Sequence, residues 1–112
     1  MVKYTLRVPS KCAKWIKEVY GYDSNHKVVP YGALNEALKG SMVGFMDAIE
    51  RYGEAMLPEV KCQRCAKIKV EVDDETVGMV KHLSKMLGIK EDYLVSMFVY
   101  DLWLVAGGEM DV

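Results

Sequence analysis

The sequence predicts an α+β fold, mostly helical, in which a two-stranded β-ribbon lies on four main helices. Three observations lead to it. Lys3-Tyr4-Thr5-Leu6-Arg7-Val8 and Lys67-Ile68-Lys69-Val70-Glu71-Val72 both alternate polar and apolar residues strictly, the period of a strand with one buried face. Each run is followed by two segments whose apolar residues recur at helical spacing. The chain has 112 residues, 51% of them hydrophobic, which suits one compact domain with a filled core and argues against disorder.

The second half is the clearer. Asp73-Asp74-Glu75 opens a helix after the strand, because carboxylates favour the positive end of the helix dipole. Val77, Val80, Leu83, Met86 and Leu87 form its apolar side. Gly88 ends it, as glycine does just past a C-cap. Lys90-Glu91-Asp92 opens the next helix, with Leu94, Val95, Met97, Phe98, Leu102 and Leu104 apolar and Gly107-Gly108 as the stop.

In the first half, Pro9-Ser10 ends the strand and Ser10 is expected to cap a helix from Lys11 to about Tyr20. Ala13, Ile16, Val19 and Tyr20 give it an apolar side, and Gly21 closes it. Residues 22–29 read as a loop. Pro30 is expected in the first turn of a second helix, whose apolar face carries Leu34, Leu38, Met42, Phe45, Met46 and Ile49 and which ends at Gly53. Laying Tyr4 to Val8 on Ile68 to Val72 also aligns the helix starts. The chain therefore reads as a single domain of two units, 1–53 and 67–112, with a connector over 54–66. The match is one of pattern rather than of residue identity. The eight methionines fall mostly at helical spacing and are expected to fill the core.

The net charge is −1 and the isoelectric point about 6.1, which by itself counts against a nucleic-acid partner. The distribution points the other way. Residues 1–17 hold Lys3, Arg7, Lys11, Lys14 and Lys17 and no acid, and residues 61–69 hold Lys61, Arg64, Lys67 and Lys69 and no acid. Residues 91–112 hold acids and no base. Such a chain can present one basic and one acidic face. The apolar run from Leu94 to Ala106 is interrupted by Ser96 and Asp101 and is too short to span a bilayer. No basic start is followed by an apolar stretch of the secretory kind. A soluble, cytoplasmic protein is expected.

The order strand, Asp-Asp-Glu, helix, Leu-Gly-Ile, helix over Lys67 to about Leu104 resembles the ribbon-helix-helix family of DNA-binding regulators, the Arc and MetJ type. The first half resembles it more weakly, because its interhelix loop is longer than is usual there. Family units are normally separate chains whose strands pair antiparallel. The resemblance thus implies a tandem ribbon-helix-helix pseudo-dimer, a transcription regulator whose partner is double-stranded DNA. The tandem form is similar to that of regulators from viruses of hyperthermophilic archaea, which implies the host-cell cytoplasm. Physical reasoning agrees, since a lone strand leaves its backbone groups unpaired and its apolar face uncovered. A paired ribbon would present Lys3, Thr5, Arg7, Lys67, Lys69 and Glu71 outward, and a two-stranded ribbon fits the major groove. Lys and Arg can donate to guanine, Thr can contact either kind of group, and Glu can accept from cytosine N4. These are the base-reading positions the resemblance implies. Glu71 would repel phosphate unless it reads cytosine or pairs with a lysine. The resemblance also implies a phosphate clamp at the N-terminus of each second helix, at Tyr31 and Gly32 and at Ile89, Lys90 and Glu91. Glu91 and Asp92 are unhelpful charges there unless they point away as caps.

Other chemistry is sparse. Cys62-Gln63-Arg64-Cys65 has the spacing of a zinc half-site or redox pair. A structural zinc site needs four ligands, and Cys12, His26 and His82 do not repeat the spacing. A Cys62–Cys65 disulfide is the second reading, and free thiols in the connector are the preferred one. His26 and His82 lack the partners of a catalytic site. No phosphate loop, nucleophile elbow or paired-histidine metal motif is present. Neither an enzyme nor a cofactor is expected. Trp15 and Trp103 read as core, or Trp103, with Tyr100 nearby, as part of an interface, and self-association through Tyr100 to Val112 is expected. The acidic, hydrophobic tail from Leu102 to Val112 also fits an antitoxin-like protein-interaction module, the alternative function.

Overall fold

The computed structural model describes residues 1–109. The elements run β1 (Val2–Pro9), α1 (Ser10–Tyr20), α2 (Ala33–Tyr52), β2 (Cys65–Val72), α3 (Asp74–Leu87) and α4 (Glu91–Val105). Each half is therefore strand, helix, helix. β1 and β2 pair antiparallel, with Val2 opposite Val72, Thr5 opposite Lys69 and Pro9 opposite Cys65. The alternation in each strand then has a single consequence. Tyr4, Leu6, Val8, Ile68, Val70 and Val72 all point inward and are at most 5% exposed.

The helices cover that inner face unequally. Every residue of α4 from Leu94 to Tyr100 is buried. A helix that is buried all round has no polar stripe to keep in water and runs through the middle of a core. It lies along β1, and the Arg7 backbone N–H donates to Ser96 Oγ at 3.2 Å. Phe98 meets Phe45 of α2 edge to face, with ring centroids 5.5 Å apart. Tyr100 and Trp103 are buried too, so of the two readings of Trp103 the structure has the core one. Their burial follows from α4's central position. Leu102 and Leu104 are half-buried and Val105 is exposed, while residues 110–112 of the expected tail surface lie outside the described residues. Gly108 lies against Trp103, donating its N–H to the Trp103 carbonyl at 2.9 Å. A Cβ at this position would fall within 2.4 Å of the indole.

A polar clasp joins the halves. Asn35 of α2 is fully buried. Its Nδ2 donates to Asp73 Oδ2 at 3.1 Å, and its Oδ1 accepts from the Asp73 backbone N–H at 3.0 Å. Asp73 in turn caps α3, its Oδ1 accepting from the Thr76 N–H at 2.8 Å. Lys39 adds ion pairs to Asp73 at 3.4 Å and to Glu75 at 3.3 Å. The Asp73 carboxyl is held down at about 2, first by the Thr76 backbone hydrogen bond and then by the further donors around it.

Several local expectations need correction. Ser10 does not cap α1, because its hydroxyl donates to the Arg64 carbonyl at 3.3 Å and ties the helix start to the connector. Helix α2 begins at Ala33, three residues beyond Pro30. Val29 is held extended by the sheet, and a residue before proline disfavours the helical region. The strands are longer than the alternating runs, and β2 starts at Cys65. Cys62 and Cys65 form a disulfide rather than remaining as free thiols, their Cα atoms 5.5 Å apart. Cys12 is a buried thiol whose pKa burial pushes up to about 12. Only some of the methionines fill the core. Met42 and Met97 are buried, whereas Met1, Met56 and Met86 are exposed.

Candidate nucleic-acid interface

The pleat that sends the apolar residues of the ribbon inward leaves the charged ones outside. Lys3, Thr5, Arg7, Lys67 and Lys69 are all exposed on one face. The antiparallel register sets Lys3 opposite Glu71, Thr5 opposite Lys69 and Arg7 opposite Lys67. Like charges directly across an antiparallel pair repel. Arg7 and Lys67 therefore cost the ribbon stability, a cost that an anion bound between them would offset.

Glu71 differs from its neighbours. It is half-buried, and its Oε1 accepts from the Tyr31 backbone N–H at 3.3 Å. The carboxylate that looks out of place on a basic face is thus directed sideways, to the segment entering α2. The Tyr31 amide faces this carboxylate, although it is one of the groups expected to meet phosphate. Gly32 is the N-cap of α2, with its carbonyl accepting from Glu36.

At the other second helix, Lys90 is the N-cap of α4 and is exposed. Ile89 donates its N–H to the Ser84 carbonyl at 3.1 Å, and its own carbonyl accepts from the Ser84 hydroxyl. Glu91 accepts a 2.8 Å hydrogen bond from the Tyr4 hydroxyl and lies 3.9 Å from Lys81. Burial, followed by that bond to Glu91, raises the Tyr4 pKa. Glu91 is thus occupied in fastening the start of α4 to β1, and Lys90 is an exposed cation at that helix end.

Residues 21–32 contribute what the sequence analysis missed. Val29 pairs with the outer edge of β2: its N–H donates to the Lys69 carbonyl at 2.8 Å, and the Glu71 N–H donates to its carbonyl at 3.0 Å. Val28 and Val29 are both buried. The preceding residues fold into a small hairpin closed by a bridge between Asp23 and Val28. Tyr22 and Lys27 from this hairpin line a surface cleft together with Thr5, Lys67 and Lys69. The available signal was the Val28-Val29 pair, two β-branched residues at the end of an otherwise polar loop.

Among the described residues, no three His, Cys, Asp or Glu side chains gather as a metal site, and no helix is long and apolar enough to cross a membrane. Comparison with known proteins finds no matching family model, curated protein or solved structure.

Proposed function

We propose that the chain is a sequence-specific, double-stranded DNA-binding transcription regulator of the ribbon-helix-helix kind. Its two units act as a covalent pseudo-dimer that inserts the ribbon into the major groove. The observation carrying this reading is the outer face of the ribbon: four exposed cations with Thr5 among them, Arg7 set directly against Lys67, and the one carboxylate turned aside. A ribbon of this width enters the major groove, where Arg and Lys donate to guanine O6 and N7 and Thr contacts either kind of group. Lys90 at the start of α4 supplies a phosphate contact beside the groove, the helix end adding its dipole.

Selection of bound sites from random duplex DNA, followed by titration at several salt concentrations, tests the proposal. Arg7→Ala and Lys69→Ala are expected to cost roughly 1–3 kcal/mol on the selected site and to relax base preference. Lys90→Ala should weaken binding to all sequences alike and flatten the salt dependence. If no site is enriched, or if the Arg7 and Lys69 variants bind the selected site as the parent does, the groove-reading assignment fails. The protein-interaction alternative then becomes the better reading.

A further inference from the structure

The ribbon has two long edges, and the fold treats them differently. Beside β2, residues 21–32 rise against the sheet. Beside β1, α4 reaches the edge with Ser96. The connection between α3 and α4 that corresponds to residues 21–32 consists of Gly88, Ile89 and Lys90 alone, too short to build a comparable wall.

The hairpin at residues 23–28 is an ordered structure. The Asp23 N–H donates to the Val28 carbonyl at 2.9 Å and the Val28 N–H returns to the Asp23 carbonyl at 3.3 Å. The Asp23 side chain organises the tip, its Oδ1 accepting from the backbone N–H groups of Asn25 and His26 and its Oδ2 lying 2.7 Å from His26 Nδ1. His26 accordingly holds the Asp23 carboxyl below its usual range. Lys27 takes a left-handed backbone conformation, φ 54°. At the base, the Lys17 ammonium sits 4.4 Å from the Tyr22 ring centroid. Val29 then anchors the segment to β2 through both of its backbone groups. Each tie fixes where the tip stands relative to the ribbon.

We infer that this hairpin is a second DNA-contacting element: Lys27 and Tyr22, which wall the cleft on the side away from the base-facing Thr5, Lys67 and Lys69, take a backbone phosphate of the duplex at the β2 side of the ribbon, giving the chain a fixed direction on its site. The inference rests on the proposed groove-reading function and adds to it. Three lysines converge on this cleft from two elements, the ribbon and the hairpin. A ribbon seated in the major groove has one sugar–phosphate strand running along each of its edges. The strand on the β2 side meets Lys27 and the Tyr22 hydroxyl. The strand on the β1 side meets no equivalent hairpin among the described residues. Two units of one pattern therefore bind a site whose two flanks are read unequally.

Lys27→Ala, Lys27→Glu and Lys27→Arg test this, with Lys69→Ala in parallel, on full-length protein and the selected duplex. Lys27 is exposed at a loop tip, and circular dichroism checks that each variant keeps the fold. Lys27→Ala is expected to weaken binding about threefold to tenfold and to make the salt dependence shallower by about one phosphate contact. Lys27→Glu should weaken it further, and Lys27→Arg should bind as the parent does. Hydroxyl-radical footprinting should show protection lost on one flank only for Lys27→Ala. If Lys27→Ala and Lys27→Glu bind and footprint like the parent while Lys69→Ala is impaired, the hairpin assignment is wrong and the groove-reading function stands. If protection is lost on both flanks, the directional reading is wrong. If the parent shows no salt-dependent binding to DNA, both fall.

Discussion

The two halves of this chain carry the same elements in the same order, yet they solve different problems. In the second half, Asp73 caps α3, Gly88 closes it in a left-handed conformation with its N–H on the Ser84 carbonyl, and α4 begins three residues later. Its helix ends are closed by local ties. In the first half, α1 starts without a side-chain cap, α2 starts after a twelve-residue excursion, and the ties go outside it: Ser10 to Arg64 of the connector, and Val29 to β2, Tyr31 to Glu71 and Asn35 to Asp73 in the other half. In the closing of its helix ends the second half is the template, and the first half is fitted onto it. Two copies of a pattern in one chain are free to diverge in this way, because each needs to satisfy only its one fixed partner. Separate identical chains face the same requirement at both positions.

The largest expected effect tests whether α4 is the centre of that template. Phe98→Ala should destabilise the fold by roughly 3–5 kcal/mol, as removal of a buried aromatic ring does. Phe45→Ala on α2, nearer the surface at 9% exposure, should cost less. The two rings touch, so a double-mutant cycle by urea unfolding should show coupling of about 0.5–1.5 kcal/mol. Equal costs without coupling would remove the contrast between the two helices.

Next comes the clasp. Asn35→Ala leaves the Asp73 N–H without its partner and removes a donor to its carboxylate, an expected loss of about 1–3 kcal/mol. Asn35→Leu should not recover it, although Leu fills the space, because the missing element is a hydrogen-bonding group rather than volume. Recovery by Leu in thermal unfolding would show that packing alone joins the halves.

The connector disulfide ranks below these. Its ring spans only Cys62 to Cys65, and closing so short a loop removes little freedom from the unfolded chain. Reduction, or Cys62→Ser with Cys65→Ser, should lower stability by no more than about 2 kcal/mol. A larger loss would mean that the connector holds the first half in place more firmly than the helix contacts imply. Cys12 should resist thiol reagents in the folded protein, since burial raises its pKa to about 12 and little thiolate forms at neutral pH.

The smallest effect is a pH dependence at the α3 cap. Asp73 has a folded pKa of about 2, below the ordinary 3.8. Its stabilisation is therefore fully present above pH 3.8 and is lost as pH falls through about 2. Asp73→Asn keeps a good cap without the titration, so the difference in stability between the variant and the parent should shift in the variant's favour over that acid window. A constant difference across the window would place the depressed titration elsewhere.

Much of the fold was legible from the sequence because its signals are local. Alternation in 3–8 and 67–72 marks the strands, and Asp73 and Gly88 mark the ends of α3 through capping chemistry that involves only nearby backbone. The exposed ribbon face was legible for the same reason, since a period of two assigns Lys3, Thr5, Arg7, Lys67 and Lys69 to one side once the inner side is known. What the sequence by itself determined was thus periodicity, capping and the separation of charged from apolar faces. Tertiary structure decided the rest. Whether Glu71 stands among the ribbon cations or turns to the Tyr31 amide, and whether residues 22–29 hang free or stand against the ribbon, depend on partners 20 or more residues away in the chain. A hydrogen bond such as Val29 to Lys69 exists only after β2 has been paired by β1 and its outer edge brought beside the loop, and no local pattern around Val29 records that arrival.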